Sequence, residues 1–416
     1  MRLRPGSLAF LLFISALGGI TPLSIDMGLP ALESIGRSLQ ITPASAALTL
    51  SFFLVGFAFG PIVLGPLSDR FGRRPVLLAG CALFVISGIG CALTPSLPVL
   101  LFWRLLQGIG AGAGSTLSLA IVRDLFEGAA ARAQLSYIST VGSTAPMIAP
   151  TLGAIVLAIG DWRSIYGFLA VAGLALLVAV YFCFRETHHA VDSTALHPRR
   201  LLANYARIFR NPISLGYTLV GALSFGCMFS YVSSSPLVMM GVLGVSPSAY
   251  GWTFAATALG IMGGAFINGR LNTRGFSGAA LLQFGLSLSL ATALTLLAIS
   301  YSGHASVATI LPVLVLNTFC AGFITSNANH GVMHPMPDIA GVASAVLGAT
   351  RMLTGAAASV LISLIFDGHT AHAMAWAMTG FTLASFAAYW LIVRVAERPV
   401  PVEEDEPLEE EPDFHP

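Results

Sequence analysis

Gly65-Pro66-Leu67-Ser68-Asp69-Arg70-Phe71-Gly72-Arg73-Arg74-Pro75 is a short charged break between two long apolar runs, 44–68 and 75–94. The same alternation extends in both directions along the chain. Apolar segments lie at about 8–29, 44–68, 75–94, 98–122, 134–158 and 163–184. Six more follow at about 213–240, 248–271, 277–301, 304–328, 339–366 and 371–395. A helix crosses about 30 Å of hydrocarbon in about 20 residues, so each segment is long enough to span a bilayer. The 416 residues are 56% hydrophobic and 9% charged, against about 25% charged in a soluble domain. A globular core does not bury that much apolar surface, which leaves lipid as the solvent. The 43 glycines suit close helix packing in lipid. The fold class read from this pattern is an all-α membrane protein with twelve transmembrane helices.

Arginine sets the expected orientation, since the chain has no lysine. With an even number of spans and the N-terminus inside, 16 of the 20 arginines fall on inner segments. Two, Arg37 and Arg163, fall outside, and Arg104 and Arg351 lie within spans. That asymmetry predicts cytoplasmic termini in a bacterial inner membrane. The longest internal polar stretch, Arg185 to Pro212, divides the spans six and six. The expected units are therefore a six-helix bundle over 1–186, a cytoplasmic linker over 187–212 and a second bundle over 213–396. An acidic tail over 397–416 is expected to be solvated and disordered. A faint internal repeat supports the division: Gly269-Arg270-Leu271-Asn272-Thr273-Arg274 follows span 8 as the charged break follows span 2. Arg2, Arg4 and the apolar run from Leu8 resemble a signal peptide, but no small-x-small site follows, and the segment is expected to stay.

Several function classes are set aside. Net charge of +1 makes no case for nucleic acid. The five cysteines all lie in apolar segments without a CxxC spacing. His330 and His334 are four apart, but Pro335 interrupts the helix there. No metal, cofactor or enzymatic activity is expected, and monomer is the default state.

Of the 19 acidic residues, only Asp26 lies well inside an apolar segment. A charge in lipid is expensive, so this carboxyl is expected to face the protein interior. There its charge can come and go as water access changes. The competing reading is a carboxylate locked to Arg104 or Arg351 that merely holds helices together. Arg104 opens Arg104-Leu105-Leu106-Gln107-Gly108-Ile109-Gly110-Ala111-Gly112, whose glycines admit a close neighbour. Arg351 is the second intramembrane cation and can contact either substrate or carbonyls. Span 5 carries Gly142, Pro146, Pro150 and Gly153, two prolines four apart on a smooth small-residue face. Candidate cavity residues are Asp26, Met27, Arg104, Gln107, Phe225, Met228, Asn317 and Arg351. Phe229, Tyr231 and Tyr217 of span 7 and other polar side chains of span 10 stand behind them.

The 65–75 stretch resembles the signature loop between spans 2 and 3 of the major facilitator superfamily. The resemblance implies that fold, with two pseudo-symmetric six-helix bundles. It assigns Gly65, Asp69, Arg70, Gly72, Arg73 and Asp124 to a conformational latch. In it Asp69 meets the N-terminal end of span 11 and Arg73 pairs with Asp124, holding an outward-facing state. Thr21-Pro22-Leu23-Ser24-Ile25-Asp26-Met27-Gly28-Leu29-Pro30 resembles the span 1 motif of twelve-span drug/proton antiporters. Arg104-Leu105-Leu106-Gln107-Gly108 resembles their span 4 motif, whose Arg is tied to proton transfer. The prolines of span 5 resemble the antiporter motif without its usual Gly-Pro pair. Together with Ala120-Ile121-Val122-Arg123-Asp124-Leu125-Phe126, the set is similar to the Bcr/CflA-type multidrug efflux proteins. The resemblance implies proton-coupled efflux of small amphipathic compounds, with Asp26 and Arg104 as the coupling pair. The alternative is a symporter or exporter of an anionic metabolite held between Arg104 and Arg351. The expected partners are a small-molecule substrate, protons and the lipid bilayer.

Overall fold

A computed structural model describes residues 4–187 and 198–397. The expected solvated tail, from residue 398 on, lies outside the described residues, as do residues 188–197 of the expected linker.

The described residues hold twelve helices long and apolar enough to cross a membrane. In the first half they are α1 Leu8–Leu39, α2 Pro43–Phe71, α3 Arg73–Ala92, α4 Leu97–Leu125, α5 Gly128–Ile159 and α6 Trp162–Cys183. In the second they are α7 Pro212–Val242, α8 Pro247–Thr273, α9 Gly278–Tyr301, α10 Val307–Met333, α11 Pro337–Ile365 and α12 His372–Ala396. Most bounds expected from the sequence match these within about three residues. The main differences are a later end of α1, at Leu39 rather than 29, an earlier start of α5, at Gly128 rather than 134, and a later end of α10, at Met333 rather than 328. A further helix, Pro198–Arg210, occupies the expected linker.

Helix starts follow from local chemistry. Thr42, Asn211, Ser246 and Ser277 each accept a backbone N–H from the first turn with their side-chain oxygens. Three of these caps precede Pro43, Pro212 and Pro247, which lack the N–H that a first turn leaves unused. Ser306 and Thr309 form a reciprocal capping box at the head of α10.

Within the first half, glycine decides the closest approach. On α2 and α4, Gly56 abuts the Leu105 carbonyl, Gly108 the Phe53 carbonyl, and Gly60 the backbone of Gly112. A Cβ at Gly108 would stand 2.1 Å from the Phe53 oxygen, so backbone meets backbone there.

The even number of spans puts residues 8 and 396 at one face, called near below; the opposite face is far. At the far face the halves are in contact. Ser359 of α11 donates to the Ala47 carbonyl of α2 at 3.1 Å. Gly355 of α11 packs on Leu54 and Phe225, and Gly251 of α8 packs on Thr151 of α5. At the near face a cavity of about 500 Å³ separates α2 from α11, with Asp69 and Arg73 on one wall and Gly341 and Ser344 on the other.

Candidate substrate and proton site

The α1 helix is regular from Leu8 to Asp26, with Pro22 inside it, and relaxes into a tighter turn over Leu29–Ala31. Asp26 therefore stands at the last turn of this regular stretch and is itself buried, 5% exposed. Its carboxyl takes part in no ion pair or hydrogen bond with the described residues. It lines a cavity of about 340 Å³ formed by both halves. The first half adds Phe57 of α2 and Gly142 and Pro146 of α5. The second adds Phe225, Met228, Phe229 and Tyr231 of α7, Phe254 and Thr257 of α8, and Met352 of α11. This cavity and the larger near-face cavity share Phe57 and Ser115, so they adjoin. Rings dominate the wall: Phe225 stacks on Phe229 and Tyr231 on Phe254, with centroids 5.6 and 6.0 Å apart.

Neither arginine holds the carboxylate. Arg104 is 1% exposed, and its donors go to the Ser24 carbonyl at 3.1 Å, the Thr49 carbonyl at 3.2 Å and Gln107 Oε1 at 2.7 Å. Its guanidinium also lies 4.4 Å from the Phe53 ring centroid and 5.5 Å from that of Tyr166. Arg104 thus ties α1, α2 and α4 together two residues from Asp26, without touching it. Arg351 packs its guanidinium against Gly221 of α7, and its buried Nη2 has no partner.

The other sequence candidates divide. Phe225, Met228, Gly142 and Pro146 line the Asp26 cavity. Met27, Arg104, Gln107, Asn317 and Arg351 do not. Met27 is wholly buried and its backbone receives Gly153 of α5. Pro150 is buried one turn before that contact. Asn317 donates to Ser289 and Thr292 at 2.9–3.2 Å, so it is spent inside the second half. Tyr217 sits at the near face and donates to Glu397 at 2.7 Å. Phe57, Phe254, Thr257 and Met352 were not singled out from the sequence. Each sits in a span that is apolar all round, which carries no mark of the inward face.

At the charged break, Arg73 is pinned from both sides. Its Nε donates to Asp124 Oδ2 at 2.9 Å, and its Nη1 donates to Asp69 and to Ser68 Oγ. Asp69 makes no hydrogen bond to α11; its side chain is 41% exposed at the near cavity, which Gly65 also lines. The docking on α11 expected for the outward-facing state is thus not made in this state. Arg70 stacks on Phe71 at 5.4 Å. Gly72 has φ +95°, and a Cβ there would stand 2.5 Å from Glu186 Oε2. The Glu186 carboxylate accepts the first two N–H groups of α3, from Arg73 at 2.8 Å and Arg74 at 3.0 Å. That residue lies 113 positions from Arg73, and no motif around it marks the contact. In the second half, Thr273 only caps its own turn at the Arg270 carbonyl, so the faint repeat has no ion-pair counterpart among the described residues.

Residues 8–359 match the sequence profile of the Major Facilitator Superfamily. The chain belongs to that superfamily. Among its relatives in the major facilitator superfamily, multidrug resistance protein MdtL of Escherichia coli is 30% identical over 401 residues, 95% of this chain and 98% of the relative. A bicyclomycin resistance protein homologue of Haemophilus influenzae is 26% identical over 396 residues, covering 94% and 98%. An uncharacterised transporter of the same superfamily from Bacillus subtilis, YdgK, is 31% identical over 363 residues, covering 86% and 89%. These names agree with the Bcr/CflA-type resemblance read from the motifs. Among solved structures, a D-xylose-proton symporter superposes with TM-score 0.70 at 18% identity, covering 93% of this chain and 98% of that one. A bacterial homologue of the lysosomal transporter Spinster, in an inward-facing conformation, superposes with TM-score 0.67 at 14% identity, covering 95% and 96%. These two establish the major facilitator fold. The chain is a multi-pass membrane transporter and not an enzyme.

Proposed function

We propose that this transporter expels small amphipathic compounds from the cytoplasm across the bacterial inner membrane in exchange for protons, by alternating access. The observation that carries the reading is Asp26, a buried carboxyl without an ion-pair or hydrogen-bond partner, in a ring-walled cavity between the halves. A carboxylate free of any fixed counter-charge can trade a proton for a substrate. The names of the multidrug and bicyclomycin resistance relatives point the same way. The 16-to-2 division of arginines supports a cytoplasmic near face, and with that orientation the state described here is open inward and closed outward.

In that scheme substrate enters past Phe57 and Ser115 and displaces the proton on Asp26. The near face then closes and the far contact between Ser359 and Ala47 parts. Substrate leaves, and Asp26 takes a proton from outside. A proton-motive force of about 150 mV supplies about 3.5 kcal/mol per proton, enough for about a 300-fold gradient. The alternative, an anionic metabolite held between Arg104 and Arg351, has less support. Arg104 has its donors occupied, and neither guanidinium lines the cavity.

Inverted membrane vesicles test the coupling. Asp26→Asn is expected to abolish drug-induced proton release while the protein still inserts and elutes as a folded species. Undiminished release from that variant would remove Asp26 from the mechanism.

A further inference from the structure

Three prolines bear on the Asp26 cavity, Pro22 in α1 and Pro146 and Pro150 in α5. A proline has no N–H, so each deprives the carbonyl four residues earlier of its regular helical donor. Those carbonyls belong to Gly18, Gly142 and Pro146, and all three residues line this one cavity. Neighbouring hydroxyls do not fill the gap: Thr140, Ser143 and Thr144 donate to the carbonyls of Ser136, Ser139 and Thr140. Nor does a side chain cover the backbone at Gly142, where a Cβ would meet nothing within 4 Å. A second, independent observation comes from Thr21. Its Oγ1 is buried, its residue is 7% exposed and lines the cavity, and the hydroxyl has no partner.

Two hydroxyl donors of the wall, those of Thr257 and Tyr231, are already committed. Thr257 gives its hydroxyl hydrogen to the Phe254 carbonyl at 2.7 Å and contacts Tyr231 Oη at 2.8 Å. Tyr231 must therefore be the donor of that pair, which leaves its oxygen only an acceptor role. The polar content of this wall is weighted to acceptors: the Asp26 carboxylate, carbonyls released by proline and the Tyr231 oxygen. Unmet acceptors in an apolar surround gain most from a charged donor.

We propose that the prolines build a hydrogen-bond acceptor subsite beside Asp26, which selects amphipathic substrates carrying N–H or O–H donors, a protonated amine above all. A quaternary ammonium of the same charge and bulk satisfies the carboxylate electrostatically but leaves the acceptors unmet. The inference rests on the cavity being the substrate site, as in the proposed function.

The test is a matched pair of probes titrated by fluorescence into the purified full chain at pH 7. One is naphthylmethyl-dimethylamine, protonated and bearing one N–H; the other is naphthylmethyl-trimethylammonium, with none. The amine is expected to bind about tenfold tighter, the worth of one charge-assisted hydrogen bond. Pro146→Ala restores an N–H that recaptures the Gly142 carbonyl, so it is expected to weaken the amine severalfold and leave the quaternary probe unchanged. Thr21→Val provides a second variant with the same expected narrowing if Pro146→Ala does not fold. Equal affinity of the two probes for the unmodified chain, or equal weakening of both by the variants, would overturn the proposal. Equal affinity alongside Asp26-dependent proton release would overturn the donor preference alone. A retained preference without proton release would overturn the coupling alone.

Discussion

A guanidinium cannot discharge in lipid, and Arg104 shows what a chain does with one it keeps. Three donors meet two carbonyls and one amide oxygen, and two rings cover its faces. Lysine brings the charge but neither the fork nor the flat face. Arg104→Lys is therefore expected to lose at least one charged hydrogen bond, about 1.5–3 kcal/mol, seen as a lower melting temperature in detergent. An unchanged melting curve would show that Arg104 does not brace α1, α2 and α4. Asp26 and Arg104 were both legible in the sequence, because an ion inside an apolar run stands out whatever the fold around it. Asn317 and Arg351, expected at the substrate cavity, lie away from the one around Asp26, for a related reason. Lipid lets a helix be apolar on every side, so the 3.6-residue period that marks the inner face of a soluble helix is missing. A polar side chain in such a span can satisfy itself on a neighbouring helix, as Asn317 does on Ser289 and Thr292.

At the scale of elements, the twelve spans were readable since the bilayer fixes their length and composition together. Their contacts were readable only where glycine recurs. Gly108 and Gly112 in α4 announced a close neighbour, and the structure supplies Phe53, Gly60 and the rest of α2. Gly108→Val is expected to force the two backbones apart, at a cost of about 1–3 kcal/mol for overpacking, measurable as lost folded yield and lower thermal stability. Wild-type behaviour would mean that this crossing is looser than described. The cap on α3 belongs to the same scale. Glu186 reaches Arg73 and Arg74 from the end of α6, and only a glycine at position 72 leaves room for it. Gly72→Ala meets both an unfavourable φ and that carboxylate, and is expected to destabilise the protein more than Gly269→Ala, whose Cβ meets nothing within 4 Å. No local pattern could reveal Glu186, because the partners are brought together by the packing of α3 on α6.

At the scale of the whole molecule, two lobes touch at the far face and part at the near face, and in the proposed mechanism their exchange of contacts is the transport event. A cysteine pair at Ala47 and Ser359, in a background with the five native cysteines replaced, is expected to cross-link in the state described here. Substrate and a proton gradient are expected to slow that cross-link as the far face opens. A rate indifferent to both would show that this contact does not part during turnover. The linker helix adds something that neither lobe contains. Tyr205 donates to the Ile62 carbonyl of α2 at 3.3 Å, where Pro66 has no N–H to offer, and Arg207 pairs with Asp338 at the head of α11 at 2.9 Å. One short helix thus reaches both lobes across the mouth, anchored in the second by buried Ile208 and fastened to the first by the Tyr205 bond, in the manner of a check-strap on a door. Its reach sets how wide the doorway swings, while a fastening this weak on one side lets it yield each time the door shuts.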